Sequence, residues 1–584
     1  MKTASVIYSG ILATAVIAAL ASVAPQAAQA PAYDILIKGG MIYDGSGAVP
    51  FTGDVGIVGD RIAYVGPHVA STAKRTIDAA GKAVSPGFIN MLSWATDSLI
   101  VDGTGQSDLR QGVTLEVMGE GTSMGPLTEK MKQLAEQRQT DIKYKIDWTT
   151  LGQYLEKLQA KGISLNVASF IGAATARMHE LGEDDVQPTP GQLARMQTLV
   201  RETMEEGALG VASALIYAPG SYTKTPELVA LVKEAGACGG TYISHIRSEG
   251  DHVDEAVDEL ISISRKAKTP AEIYHLKVAG QPNWQKLPSV LAKIDAARAG
   301  GNRITANMYV YEAGATGLDA AMPTWVQAGG LEAWVARLKD PATRKRVIAE
   351  MRDSHAPWEN LYRLAGAEGT LFLGFKSDKL KPLTGKRLSE VAKMRGKSPE
   401  DAIIDLVIED NSRVEVAYFL MSESNIAKEV VLPYVSFGSD ESAQEPEGVF
   451  LKSSAHPRAY GNVARLLGKY VRDQKLLSLQ EAVRKLTSLP AGNLSLHERG
   501  SLKKGYFADV VVFDPKTIED HATYEKPQQY ATGVSEVIVN GIESIKDGKA
   551  TGAHSGRVIR GRAWKGWPDG GCRKSPADWT WTKS

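Results

Sequence analysis

The chain has 584 residues, 43% of them hydrophobic and 23% charged, an ordinary globular composition that excludes disordered, collagen-like and disulfide-scaffold proteins. Lys plus Arg and Asp plus Glu both number 67, so no charge excess favours nucleic acid or anionic lipid as a partner. The only two cysteines, Cys238 and Cys572, form no C-x-x-C and predict no disulfide framework.

Residues 1–30 differ from the rest. Lys2 precedes the apolar run Ile11 to Leu20, and small residues follow, ending in Ala28-Gln29-Ala30. A positive start, a short apolar core and an A-x-A site predict a cleaved secretory signal peptide, and with it a periplasmic or secreted protein. The run is too short and too Ala-rich for a membrane anchor, and no cysteine stands there to carry a lipid.

Residues 31–85 read as short strands, Asp34–Lys38, Asp54–Val58 and Arg61–Val65, between Gly-rich turns. Similar text returns at Ala508–Phe513 and Val534–Asn540. The expectation is one small β-sandwich domain built from both chain ends, residues 31–85 and 491–560, with a tail over 561–584. Its Trp564, Trp567, Trp579 and Trp581 read as surface packing.

Between the two halves, strand and helix alternate. Thr189, Pro190 and Gln192 spell a capping box with Pro at N1, and Leu193, Met196, Val200 and Met204 follow at helical spacing. Strands are expected at Ala208–Ala212, Thr241–Ile246, Ala271–Lys277 and Arg303–Tyr309, with helices between them. His275 follows His245 by 30 residues and Tyr309 follows His275 by 34, which is one βα unit per step. That rhythm predicts an α/β fold, a (β/α)8 TIM-like barrel over residues 86–490. A Rossmann sheet would share the alternation, but no G-x-G-x-x-G follows a strand. Residues of about 320–412 break the rhythm and read as an insertion able to cover the barrel mouth.

Active sites of such barrels lie at the C-terminal strand ends, where His245, His275 and Asp440 are expected. Two imidazoles from adjacent strands suit a zinc-type ion, and an aspartate on a later strand can handle protons of activated water. Each histidine alone would be an ordinary core or loop residue; together with Asp440 they read as a metal site. His68, His355, His497, His521 and His554 read as solvated, and His179 and His252 have no clear role.

Several motifs carry a resemblance. Val84-Ser-Pro-Gly-Phe-Ile89 is similar to the entry into the first barrel strand of the amidohydrolase superfamily, and Lys504-Gly505 to Asp514 is similar to its return into the β-domain. Ser244-His-Ile-Arg247, His275-Leu-Lys277, Tyr309-Val-Tyr311, Gly438-Ser-Asp440 and His456-Pro-Arg458 resemble the N-acyl-D-amino-acid deacylase (D-aminoacylase) branch. The resemblance implies a metal-dependent hydrolase cleaving the N-acyl bond of an N-acyl amino acid, with Asp440 as catalytic acid and base. It implies that Lys277, Tyr309 and Arg458 bind the substrate carboxylate; Ala315 stands where the branch has a hydroxyl. The chain departs from the branch at its His-x-His pair, where it has Leu92 and Trp94, and at its Cys ligand, where one deletion in the alignment brings Glu120. The resulting expectation is one Zn2+ ion held by Glu120, His245 and His275. Hydrolysis of peptide-like or cyclic amides, or acyl-amino-acid binding without catalysis, are the competing readings.

Overall fold

Eight parallel positions alternate with helices around a closed ring. They are Phe88–Asn90, Val113–Met118, Asn166–Ser169 (continued past Phe170 by Ile171–Gly172), Gly210–Ala214, Thr241–His245, Ala271–Ile273, Ile304–Met308 and Val435–Phe437. Neighbours pair in parallel register throughout. The ring closes between the eighth and first strands, where Met91 N donates to Phe437 O at 3.1 Å and Asp440 N to Leu92 O at 2.8 Å. This computed structural model describes residues 32–572 together with Met1, Ala4 and Ser5. Apart from those three, the expected signal segment lies outside the described residues, as do Trp579 and Trp581 of the tail.

The local signals act as their chemistry requires. Thr189 caps Pro190–Glu205 in a reciprocal capping box with Gln192, and that helix buries Met196, Val200 and Met204. Gly87, in the entry to the first strand, has no room for a side chain: a Cβ there would collide with Thr114 Oγ1 on the second strand. Inside the ring an apolar layer includes Ile89, Leu115, Val117, Phe170, Ile243 and Tyr274. Among the described residues, no helix is long and apolar enough to cross a membrane.

The two chain ends meet in one nine-stranded sheet. Val510–Phe513 pairs antiparallel with Ala83–Pro86, so the return strand lies directly beside the segment that enters the barrel. Tyr33–Ile42 pairs with three strands, Phe51–Val58, Ala73–Asp78 and Ala83–Pro86. The sheet therefore forks at Tyr33–Ile42 over its own apolar core, which includes Ile35, Ile37, Val55, Ile57, Val510 and Val512.

The excursion between the seventh and eighth strands runs from Met308 to Val435, wider than the 320–412 read from the sequence. Its centre is a three-stranded antiparallel sheet of Ala313–Gly317, Thr370–Gly374 and Glu415–Phe419, with helices around it. Its Leu373, Arg413, Glu415 and Tyr418 line the cavity at the mouth.

At the opposite face the tail crosses the N-terminal ends of the third and fourth strands. Val167 N donates to Arg557 O at 3.0 Å, Ile559 N to Val167 O at 2.8 Å and Gly561 N to Gly207 O at 2.8 Å. Ile559 joins the core inside the barrel. Trp564 and Trp567 pack edge to face, with centroids 5.2 Å apart.

The path of the tail corrects one expectation. Cys238, which caps the helix Thr225–Ala237, is joined by a disulfide to Cys572. The two are 334 residues apart, so no local spacing announces the bond; it exists because the tail returns to the barrel wall. Replacing both cysteines by serine is expected to cost about 2–4 kcal/mol. Thermal denaturation of the two forms would show it as a lower Tm, and limited proteolysis as faster loss of the residues after Gly561.

Candidate functional site

Loops leaving the strands place the chemistry. Glu120 follows the second strand, between Gly119 at φ +109° and Gly121 at φ +65°. Both glycines adopt conformations that side chains resist; a Cβ on Gly121 would also lie 2.7 Å from that of Ala214. His245 closes the fifth strand in register with Ala214. His275 lies two residues beyond the sixth strand, which stops at Ile273 rather than reaching Lys277. His275 has φ +35° and Asp440 φ +53°, a region that residues other than glycine enter at a cost of about 1–3 kcal/mol each. Hydrogen bonds hold both bends: His275 N donates to Asn307 Oδ1 at 2.9 Å, and Asp440 N to Leu92 O.

The side chains converge. Glu120 Oε1 lies 3.1 Å from His245 Nδ1 and 3.1 Å from His275 Nε2, and these three donor atoms are all within 4.8 Å of one another. Bonds of about 2.0–2.2 Å to a tetrahedral ion set donors roughly 3.4 Å apart. A carboxylate and two imidazoles so arranged, all buried, fit a zinc-type ion that keeps a fourth position open for water or substrate.

Glu249 backs the two imidazoles. Its Oε1 lies 2.9 Å from His275 Nδ1, where a carboxylate orients the ring of a ligand histidine, and its Oε2 lies 3.6 Å from His245 Nε2, beyond hydrogen-bond reach, as a nearby charge. Lys277 Nζ reaches Glu249 Oε1 at 2.5 Å, His275 Nδ1 at 2.7 Å and His275 O at 2.8 Å. Burial works against the Glu249 charge, but Lys277 and then the histidines outweigh it and hold the carboxyl well below its usual range.

Asp440 faces the donor set from the eighth strand. Burial pushes its carboxyl up, and Arg458 pulls against that rise. Arg458 Nη2 donates to Asp440 Oδ2 at 2.9 Å and to its carbonyl at 2.5 Å, and the guanidinium lies 4.4 Å from the Tyr309 ring centroid. The guanidinium is wholly buried, yet among the described residues its Nη1 has no hydrogen-bond partner. Trp94 Nε1 donates to Glu120 Oε2 and Asp440 Oδ1, both at 3.1 Å.

The structure brings all seven residues singled out in the sequence, Glu120, His245, His275, Lys277, Tyr309, Asp440 and Arg458, to one cavity of about 650 Å³. They are not equally paired within the site. Lys277 spends its ammonium on Glu249 and the His275 carbonyl, whereas the buried Arg458 Nη1 has no hydrogen-bond partner among the described residues. Sequence reasoning missed Glu249 as a member of the site, although its spacing of four from His245 places it just past the same strand end. It also missed that Trp94, noted only as a lost ligand, donates a hydrogen bond here.

A buried metal-fitting donor set at the C-terminal mouth of a closed barrel, with a carboxylate across from it, defines a class, the barrel metal hydrolases. The sequence profile of the amidohydrolase family matches residues 75–543, and the chain belongs to that family. D-aminoacylase of Alcaligenes xylosoxydans xylosoxydans is 32% identical over 528 residues, 90% of this chain and 97% of that protein. A crystal structure of D-aminoacylase superposes with a TM-score of 0.75 at 31% identity, covering 90% of this chain and 100% of that one. The N-acyl-D-glutamate deacylase of Bordetella bronchiseptica, solved with zinc and a phosphonate inhibitor, gives 0.74 at 28% identity, covering 90% and 99%.

The place of Glu249 yields a measurable outcome. Glu249→Gln removes the charge behind both imidazoles and beside Lys277, and should weaken zinc affinity about 10- to 100-fold. Competition with a chromophoric chelator measures the change directly, with no need of a substrate.

Proposed function

We propose that the protein is a metal-dependent amidohydrolase that cleaves the N-acyl amide bond of N-acyl amino acids of D configuration, releasing a carboxylic acid and a free amino acid. One Zn2+ ion, held by Glu120, His245 and His275, is the cofactor of this reading. The observation that carries it is the Glu120–His245–His275 cluster set against Asp440 and against a buried guanidinium with one free edge. The D configuration rests on the names of the relatives.

An ion at the cluster supplies Lewis acidity toward the acyl carbonyl oxygen and toward an attacking water. Asp440 accepts the proton of that water as it attacks the acyl carbon. It then delivers the proton to the leaving nitrogen, which cannot depart as an amine anion. Burial makes this carboxylate more basic than an exposed aspartate, which suits a group that must both take and return a proton. Arg458 Nη1 and the Tyr309 hydroxyl receive the α-carboxylate, while Arg458 Nη2 stays on Asp440. Substrate anchor and proton carrier are thus fixed to each other. The ammonium of Lys277 adds positive charge nearby but is held by Glu249 and by the His275 carbonyl.

Export to the periplasm or beyond is part of the proposal. It is supported by the pattern of residues 1–30 and by the Cys238–Cys572 disulfide, since such bonds persist in oxidising compartments.

A panel of N-acyl D- and L-amino acids, their carboxamides, and cyclic and peptide-like amides, assayed beside metal analysis, tests the reading. The expected outcome is close to one zinc per chain, turnover of N-acyl-D-amino acids, and poor turnover of the carboxamides. Asp440→Asn should keep its zinc and lose on the order of 10³ or more in kcat. Arg458→Ala should lose on the order of 10² or more in kcat/KM on the free acids. Near-normal kcat in Asp440→Asn, or equal turnover of acids and carboxamides, would overturn the mechanism.

A further inference from the structure

Trp94 lies four residues beyond the first barrel strand, with 39% of its surface exposed, yet its one polar atom points inward. The indole N–H is shared between Glu120 Oε2 and Asp440 Oδ1, 3.1 Å from each. Both carboxylates are otherwise engaged on their far sides: Glu120 Oε1 by His245 and His275, Asp440 Oδ2 by Arg458. The backbone is tied to the same loop. Trp94 N donates to Glu441 O at 3.0 Å, Ser442 Oγ donates to Trp94 O at 3.2 Å, and Ser93 bridges Glu441 in parallel. The backbone that carries the ring is therefore tied to the segment that carries Asp440.

Two buried carboxylates this close repel each other unless a proton, a cation or a shared donor stands between them. Here the group between them is an N–H, which is neutral and cannot be lost. The side chain of Leu92, two residues earlier, lies wholly within the barrel core and offers no lone pair.

We propose that Trp94 is a positioning residue whose indole N–H stands between Glu120 and Asp440 where a second cation would otherwise be needed. It turns Glu120 Oε1 toward the histidines, holds the Asp440 carboxylate toward the scissile bond, and closes the space between the two to a second ion. This rests on the reading of Asp440 as proton carrier and of Glu120 as ligand. It goes beyond that reading by giving a residue that is neither metal ligand nor proton carrier a defined role toward both.

The test uses the zinc-loaded full chain. Trp94→Phe keeps the ring and removes the N–H; it should retain one zinc and lose on the order of 10- to 100-fold in kcat, with KM changed by less than about three-fold. In the Asp440→Asn background, compared at equal zinc loading so that its hold on Glu120 does not enter, the same substitution should cost less than about three-fold more in kcat, because its effect on the chemical step runs through the carboxylate already removed. A full additional loss in that background would overturn the proposal. A second measurement needs no turnover. The 15N–1H resonance of the Trp94 indole, assigned by its absence in Trp94→Phe, should shift in Asp440→Asn and in Glu120→Gln; an unmoved resonance in either would overturn the shared bond. Zinc titration should load one equivalent in the wild type and a second in the Leu92→His/Trp94→His double variant, and a tight second equivalent in the wild type would overturn the exclusion. If the wild type hydrolyses no N-acyl amino acid, the proposed activity fails while the resonance and titration still decide the place of Trp94.

Discussion

The Glu120 carboxylate is the junction on which the mouth of the barrel depends. One oxygen faces two imidazoles from adjacent strands and the other accepts from Trp94, so a single side chain links the second, fifth and sixth strands to the loop after the first. It stands in a backbone bend that two glycines allow. Because ionised groups taken out of water are costly unless paired, the rest of the site follows as charge compensation. Lys277 answers Glu249, Arg458 answers Asp440, and the indole N–H separates Asp440 from Glu120. Burial alone would drive these carboxyls toward neutrality; the partners keep Glu120 and Glu249 ionised, as a ligand and its support require.

The same loops hold backbone strain. His275 and Asp440 both sit at positive φ without being glycine, and both bends are secured by hydrogen bonds to neighbouring strands rather than to their own. Asn307, which receives the amide of His275, in turn donates to Glu272 Oε1 at 2.9 Å inside the barrel. Buried polar contacts of this kind fix where a ligand and a proton carrier point, because the closed ring allows little other arrangement.

The two faces of the barrel divide the work in the way this architecture favours, chemistry at the C-terminal ends and stability at the other. The excursion between the seventh and eighth strands walls the cavity with Arg413, Glu415 and Tyr418. The opposite face is closed by the returning tail, whose Ile559 enters the inner core and whose Cys572 is bonded to the barrel wall. The forked sheet joins both chain ends beside the entry strand, so the first barrel strand is anchored by a partner more than 400 residues away in the chain.

By itself the sequence determined the barrel rhythm, the capping box at Thr189, the paired chain ends and the polar residues at strand ends. These are local or periodic signals: hydrophobic spacing, turn residues and short motifs act over a few residues and leave their mark wherever they occur. Tertiary structure alone decided the rest. The Cys238–Cys572 bond, the place of Glu249 behind both histidines, the commitment of Lys277 to Glu249 and the indole N–H between Glu120 and Asp440 each join side chains brought together only by closure of the ring or return of the tail. Trp94 shows the difference plainly. In the sequence it is a missing ligand, because a residue type states which atoms are available; only the fold states which lone pairs they meet.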